Sequence, residues 1–215
     1  MDVGELRIER FTLGPLETNC YLVWCGKSKE GIVIDAGDDP APVLRAAQER
    51  GVRIVRIVST HGHFDHIAGV AALRAATGAP FAIGEEDREL ALDPGPDAAY
   101  VLGREVPPVA PDAFLSDGEE IRVGAVSLRA IATPGHTPGG FCFHADGVLF
   151  TGDTLFAGSV GRTDLPGGNW EQLLHSIRTR ILPLPEDTEI LPGHGPFSRL
   201  SEERRSNPWM QGTPG

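Results

Sequence analysis

The sequence is poor in cysteine: it holds Cys20, Cys25 and Cys142 only, and no CxxC pair. Three thiols leave one unpaired, which argues against a disulfide framework and for a reducing compartment. Long apolar runs are also missing, and no stretch reaches the roughly 18 residues that a membrane-spanning helix requires. The opening segment MDVGELRIER is charged from its second residue and has no apolar centre, so no secretory signal is expected. Positive charge is scarce, with 19 Lys and Arg against 30 Asp and Glu, a net charge of −11. That balance argues against nucleic acid, because binding phosphates requires cations to neutralise them. The expectation is a cytoplasmic protein acting on a small molecule, with no membrane partner.

Glycine and proline, by contrast, are abundant at 27 and 18 residues. Together they stay below the roughly 25–30% that marks disorder, and they point instead to many tight turns. Short runs rich in β-branched and aromatic residues predict strands at Leu6–Leu13, 20–24 and 31–35. An amphipathic helix is expected over 42–50, then an apolar strand over 54–59 and a helix over 67–76 stopped by Gly78. Residues 93–111, DPGPDAAYVLGREVPPVAP, are proline-rich and aperiodic and read as a long loop. Strands return at Glu120–Val123, 125–132, 140–144 and 148–151, with hairpin turns between the members of each pair. A helix over 170–182 carries Leu173, Leu174, Ile177 and Ile181 on one face, with Asn169 as its N-cap. A last strand over 188–191 precedes a short charged helix near 201–206. The rhythm is that of one α/β domain over 1–215, strands inside and helices outside.

The chemistry concentrates in four places. His61-Gly-His63-Phe-Asp65-His66 lies where a buried strand gives way to a helix. Three imidazoles and a carboxylate in six residues are hard to place in a core, where each polar group needs a partner. At such a turn they can converge, and their spacing suits two adjacent metal positions better than one closed tetrahedral site. The segments Thr133-Pro-Gly-His136-Thr-Pro-Gly139, Thr151-Gly-Asp153-Thr154 and Leu191-Pro-Gly-His194-Gly-Pro196 share one design. Each is a strand followed by a glycine-bracketed turn that makes one ligand-type side chain protrude. Structural zinc sites are closed and typically rich in cysteine, whereas a His/Asp set suits an open hydrolytic centre. His144 and His175 lack such settings and read as ordinary residues.

HGHFDH resembles the HxHxDH signature of the metallo-β-lactamase superfamily, and PGHTPG, GDTLF and PGHGP are similar to its remaining ligand motifs, in order. Within that superfamily, GDTLFAGSVGRTDLPGG and PGHGP…EERRSNP resemble glyoxalase II (hydroxyacylglutathione hydrolase) and its short bacterial relatives. The resemblance implies a four-layer αβ/βα sandwich. It implies two divalent metal ions, zinc first, with iron or manganese acceptable to the same donors. His61, His63 and His136 would hold one and Asp65, His66 and His194 the other, with Asp153 bridging them. Asp35 would orient a ligand imidazole.

The implied reaction is hydrolysis of a thioester, such as S-lactoylglutathione or a related small thioester, by a water shared between the metals. Asp65 and Asp153 are the candidate catalytic residues, Asp65 as proton acceptor. Arg162 is the candidate partner of a substrate carboxylate. The chain ends 21 residues beyond His194, so the C-terminal helical region that holds much of glyoxalase II's glutathione site is expected to be absent. Two rivals share the motif: a mononuclear iron persulfide dioxygenase and a non-catalytic binding module.

Overall fold

Every residue of Thr18–Cys25 is buried, and alternation divides the strand between two cores. In the computed structural model, which describes residues 1–210, Tyr21, Val23 and Cys25 join one apolar cluster while Cys20, Leu22 and Trp24 join another. Successive side chains of a strand point to opposite faces, so a strand apolar on both belongs in a sheet covered on both sides. The sheet runs in chain order through β1 (Asp2–Val3), β2 (Leu6–Leu13), β3 (Thr18–Cys25), β4 (Glu30–Ile34), β5 (Arg53–Val58), β6 (Phe81–Ile83) and β7 (Ala113–Phe114). The first four strands pair antiparallel and the rest parallel. Parallel neighbours need crossovers. These are α1 (Ala41–Arg50), then α2 (Phe64–Ile67) with α3 (Val70–Thr77), then α4 (Arg88–Leu92) with α5 (Pro96–Leu102).

A second, six-stranded sheet begins with β8 (Glu120–Val123), β9 (Val126–Ala132), β10 (Phe141–Ala145) and β11 (Val148–Gly152). The small hairpin of β12 (Leu155–Phe156) and β13 (Ser159–Val160) follows. Helix α6 (Trp170–Ser176) continues as a π-helical turn over Ile177–Ile181, and β14 (Glu189–Pro192) then pairs parallel to β11. An edge strand β15 (Ser198–Arg199) and helix α7 (Leu200–Ser206) complete the layer. The two sheets enclose Ile32, Ile34, Phe143, Phe150 and Leu191 between them. The outer face of the second sheet packs Cys142 and Leu149 against Leu173, Ile177 and Leu200. Helices, sheet, sheet, helices is the four-layer sandwich that the motifs implied.

Three expected elements come out differently. The helix expected over 67–76 is two helices broken at Gly69, where backbones meet: the Gly69 amide donates to the Ala36 carbonyl at 2.7 Å, and a Cβ there would sit 2.0 Å from the Asp38 carbonyl oxygen. The 93–111 segment contains α5, which starts at Pro96, where proline suits a first helical turn, and stops at Gly103 in the left-handed region. Buried Ala98 and Val109 anchor that segment to the rest. Leu174 is only half-buried, because Leu173 takes the core-facing position at the start of α6. Asn169 caps this helix as expected, accepting from the Gln172 amide at 3.0 Å. All three cysteines are free and buried, and no described helix is long and apolar enough to cross a membrane.

Candidate metal centre

Both sheets discharge their ligand-type residues at one edge. His61 and His63 follow β5, and Asp65 and His66 sit on α2; His136 follows β9, Asp153 follows β11, and His194 follows β14. Backbone bonds lock the two sheets together here: Phe141 donates to the Thr60 carbonyl and Asn19 to the Gly193 carbonyl, each at 2.7 Å. The Tyr21 hydroxyl donates to the Pro192 carbonyl at 2.6 Å. Gly135 has φ +142°, and a Cβ there would lie 2.3 Å from Cα of Leu173. Glycine therefore lets the turn press against α6, which aims His136 at the centre.

The seven side chains converge as two linked groups. The ligand atoms of His61, His63 and His136 lie within 4.8 Å of one another, as do those of Asp65, His66 and His194, and those of His61, His66 and Asp153. Within the first group, His63 Nδ1 and His136 Nε2 are 2.9 Å apart. In the second, His66 Nε2 and His194 Nε2 are 3.3 Å apart, with Asp65 Oδ2 at 3.5 and 3.2 Å from them. Asp153 reaches both: its Oδ1 is 3.3 Å from His66 Nε2, and its Oδ2 is 3.6 Å from the Nε2 of His136 and of His194. Two ligands about 2.0–2.1 Å from one cation at a tetrahedral angle stand about 3.3 Å apart. The separations match that edge length. His61 Nε2 is buried without a hydrogen-bond partner, a costly arrangement that a cation relieves.

The outer partners prepare these rings. A carbonyl oxygen only accepts, so His136 donates Nδ1–H to the Arg162 carbonyl at 2.7 Å, and His194 donates Nδ1–H to the Leu16 carbonyl at 3.0 Å. Each then turns an Nε2 lone pair inward, as a metal-ligating imidazole requires. His61 Nδ1 meets the Thr60 hydroxyl at 3.1 Å, and His66 Nδ1 stands 3.0 Å from Asp35 Oδ2. Asp35 also accepts from the Thr60 amide and hydroxyl at 2.7 and 2.8 Å. It holds a positive φ of 57°, a strained backbone for a non-glycine residue. Thr18 donates its hydroxyl to Asp65 Oδ2 at 3.1 Å.

Electrostatics divide the donors into two sets. Burial lowers the His61 and His63 pKa values, helped by neighbouring imidazoles, and His63 falls to about 4. Burial alone would raise the Asp65 and Asp153 carboxyls, but the surrounding histidines, His66 foremost, pull both below the usual range. His66 and His194 shift the other way: burial lowers their pKa values, but Asp65 and Asp153 outweigh it and raise both. The carboxylates thus draw positive charge to their side of the cluster, the place where a divalent cation would substitute for protons.

Beside the cluster opens a cavity of about 410 Å³, lined by Leu16, Phe64, Asp65, Asp153, Arg162 and His194 among others. The structure thus brings all seven predicted ligand residues together. Arg162 also lines the cavity, but its guanidinium is already engaged by Asp164 through two contacts of 2.7 Å. His144 and His175 lie away from the cluster, on β10 and α6. Sequence reasoning missed the outer partners Thr18, Thr60, the Leu16 and Arg162 carbonyls, and Asp87. A main-chain carbonyl carries no residue-type signal, and Asp87 is one of three consecutive acids.

Comparison with known proteins agrees with this geometry. The family model described as the metallo-β-lactamase superfamily matches residues 13–194. A Haemophilus influenzae protein named hydroxyacylglutathione hydrolase GloC is 34% identical, over 95% of this chain and 98% of its own length. Among solved structures, the BLEG-1 B3 metallo-β-lactamase has a TM-score of 0.89 at 34% identity, covering 96% of this chain and 100% of that one. TTHA1623, crystallised in a di-iron-bound form, has a TM-score of 0.83 at 37% identity, covering 94% and 99%. The four ligand-bearing segments, the sandwich that gathers them at one edge and this match over most of the sequence lead to one conclusion: the chain belongs to the metallo-β-lactamase superfamily.

Proposed function

We propose that the protein is a cytoplasmic binuclear metal-dependent hydrolase acting on a small thioester such as S-lactoylglutathione. The observation that carries this reading is the pair of ligand groups, joined through Asp153, at the wall of an open cavity. His61, His63 and His136 would hold one cation, Asp65, His66 and His194 the other, and Asp153 would stand between them. The di-iron form of a structural relative supports a two-metal count. When bound, two such cations supply Lewis acidity and depress the pKa of a shared water towards about 7.

The chain's own residues do the rest. Asp65 lines the cavity and is held ionised, with its Oδ2 accepting from the Thr18 hydroxyl, and a carboxylate there can take the proton of the attacking water. A thiolate departs without a strong general acid, because its conjugate acid has a pKa near 8.5. Arg162, on the rim, can exchange Asp164 for a substrate carboxylate. The GloC relative, whose name carries the glutathione thioester, supports the substrate class.

A second reading, β-lactam hydrolysis, is favoured by the likeness to BLEG-1. Elemental analysis and a panel of thioesters, esters, lactones and β-lactams test both. About two metals per chain with thioester turnover that chelation abolishes is the expected result. Full thioester activity in verified metal-free protein would sink the mechanism, and turnover confined to β-lactams would replace the substrate.

A further inference from the structure

One carboxylate beside the metal centre is aimed at the backbone that carries the ligands. Asp87 closes the short 3₁₀ turn Glu85–Asp87 after β6 and is fully buried. Its Oδ2 accepts from the Gly62 amide at 2.8 Å and the Thr137 hydroxyl at 2.7 Å, and its Oδ1 accepts from the Gly139 amide at 2.7 Å. Gly62 lies between His61 and His63, and Thr137 directly follows His136. A single side chain thus ties together the two segments that supply the three-histidine group. None of these three bonds reaches Asp65, His66 or His194.

The packing around it leaves little slack. A Cβ on Gly139 would lie 2.7 Å from Cγ of Asp87, and one on Gly62 would lie 3.0 Å from its Cβ. A Cβ on Gly84 would sit 2.2 Å from the Gly139 carbonyl oxygen. Three backbone segments therefore close on one carboxylate, at spacings that only glycine permits. A buried carboxylate is costly unless its oxygens are satisfied, so this one holds its three donors in place.

We infer that Asp87 is the positioning residue of the three-histidine site: it sets the separation of the His61–His63 loop from the His136 turn, and so governs cation affinity at that site and not at its neighbour. The inference rests on the reading that these histidines hold a cation. A carboxylate offers acceptors only. In Asp87→Asn the amide oxygen can still serve Gly62 and Thr137, but the NH₂ group then faces the Gly139 N–H. Two donors repel, and relief comes from displacing the 136–139 turn, which moves His136.

The test uses cobalt(II), whose visible absorption reports the geometry of each site, titrated into apoprotein against a competing chelator. Wild-type protein is expected to bind two equivalents. Asp87→Asn should weaken one site by roughly 10- to 100-fold, the usual effect of removing an outer partner of a ligand, and leave the other within about twofold. Its one-equivalent spectrum should match that of His136→Ala and differ from that of His194→Ala. Thr137→Val, which removes one donor and keeps the shape, should weaken the same site by a smaller factor and serves if Asp87→Asn does not fold. Parallel weakening of both sites, or a lower melting temperature with both affinities unchanged, would overturn the positioning role. If wild-type protein bound no cobalt at the histidine cluster, the metal-centre reading itself would fail, a result separate from either of those.

Discussion

Gly193 sits one residue before His194, in a backbone conformation open to alanine, so Gly193→Ala perturbs the site by bulk alone. Its Cβ would lie 2.3 Å from Asp153 Oδ1 and 2.7 Å from Cε1 of His66, where ordinary contacts begin near 3.4 Å. Asp153 must then retreat by about 1 Å, and misplacement on that scale costs on the order of 100-fold in rate. That loss corresponds to about 2.7 kcal/mol in the barrier. Overpacking also destabilises by about 1–3 kcal/mol, a fall of roughly 2–12 °C in melting temperature for a chain of this length. Gly195→Ala is the control. Gly195 has φ +76° and nothing within 4 Å of the added methyl, so it carries backbone strain of about 1–2 kcal/mol without crowding a ligand. Thioester turnover, elemental analysis and scanning calorimetry on both variants make the comparison. Gly193→Ala should lose metal and activity, while Gly195→Ala should lose only stability. If Gly193→Ala keeps its metal and works within twofold of wild type, Asp153 does not stand at the heart of the site.

Cations that bind only the folded chain add about 4.1 kcal/mol per site at 1,000 times their dissociation constant. Chelation should therefore lower the melting temperature by roughly 8–16 °C per site, and an unchanged midpoint in verified apoprotein contradicts the cluster's role. The apoprotein should also be acid-sensitive. His61 and His63 titrate below 6.5 when folded, His63 at about 4, so the unfolded chain takes up protons first. The contribution of these two groups is then complete above about pH 6.5 and falls as the pH drops towards 4, by about 1.4 kcal/mol per unit for each group. His66 and His194 shift upward, so their contribution is complete below about pH 6.5, adds no slope there, and is lost as the pH rises above it. Equilibrium denaturation at about pH 6.5, 5.5 and 4.5 checks the acid limb, and a flat profile there refutes it. Arg162→Ala removes an exposed guanidinium paired to Asp164 but leaves the carbonyl that tethers His136. It should raise KM less than about fivefold with kcat unchanged, and a large loss of kcat would place the side chain in the chemistry.

The ligands were legible in sequence because each announces itself locally. HGHFDH and GDT set donor side chains beside glycine, PGHTPG and PGHG set theirs beside glycine and proline, and no distant information is needed to see them. The hairpins and the N-cap at Asn169 are equally local. The tertiary structure decided what depends on distant segments meeting. Gly69 breaks the second crossover helix because the 36–38 backbone lies against it, which nothing near Gly69 in the chain foretells. Leu16 orients His194 across 178 residues through a carbonyl that every residue possesses. Asp87 clasps the loops of His61 and His136 from the end of an unremarkable acidic triplet. Residue identity along the chain thus chose the donors, and the packing of the two sheets against each other chose their outer partners, because a hydrogen bond depends on distance in space and not on separation in sequence.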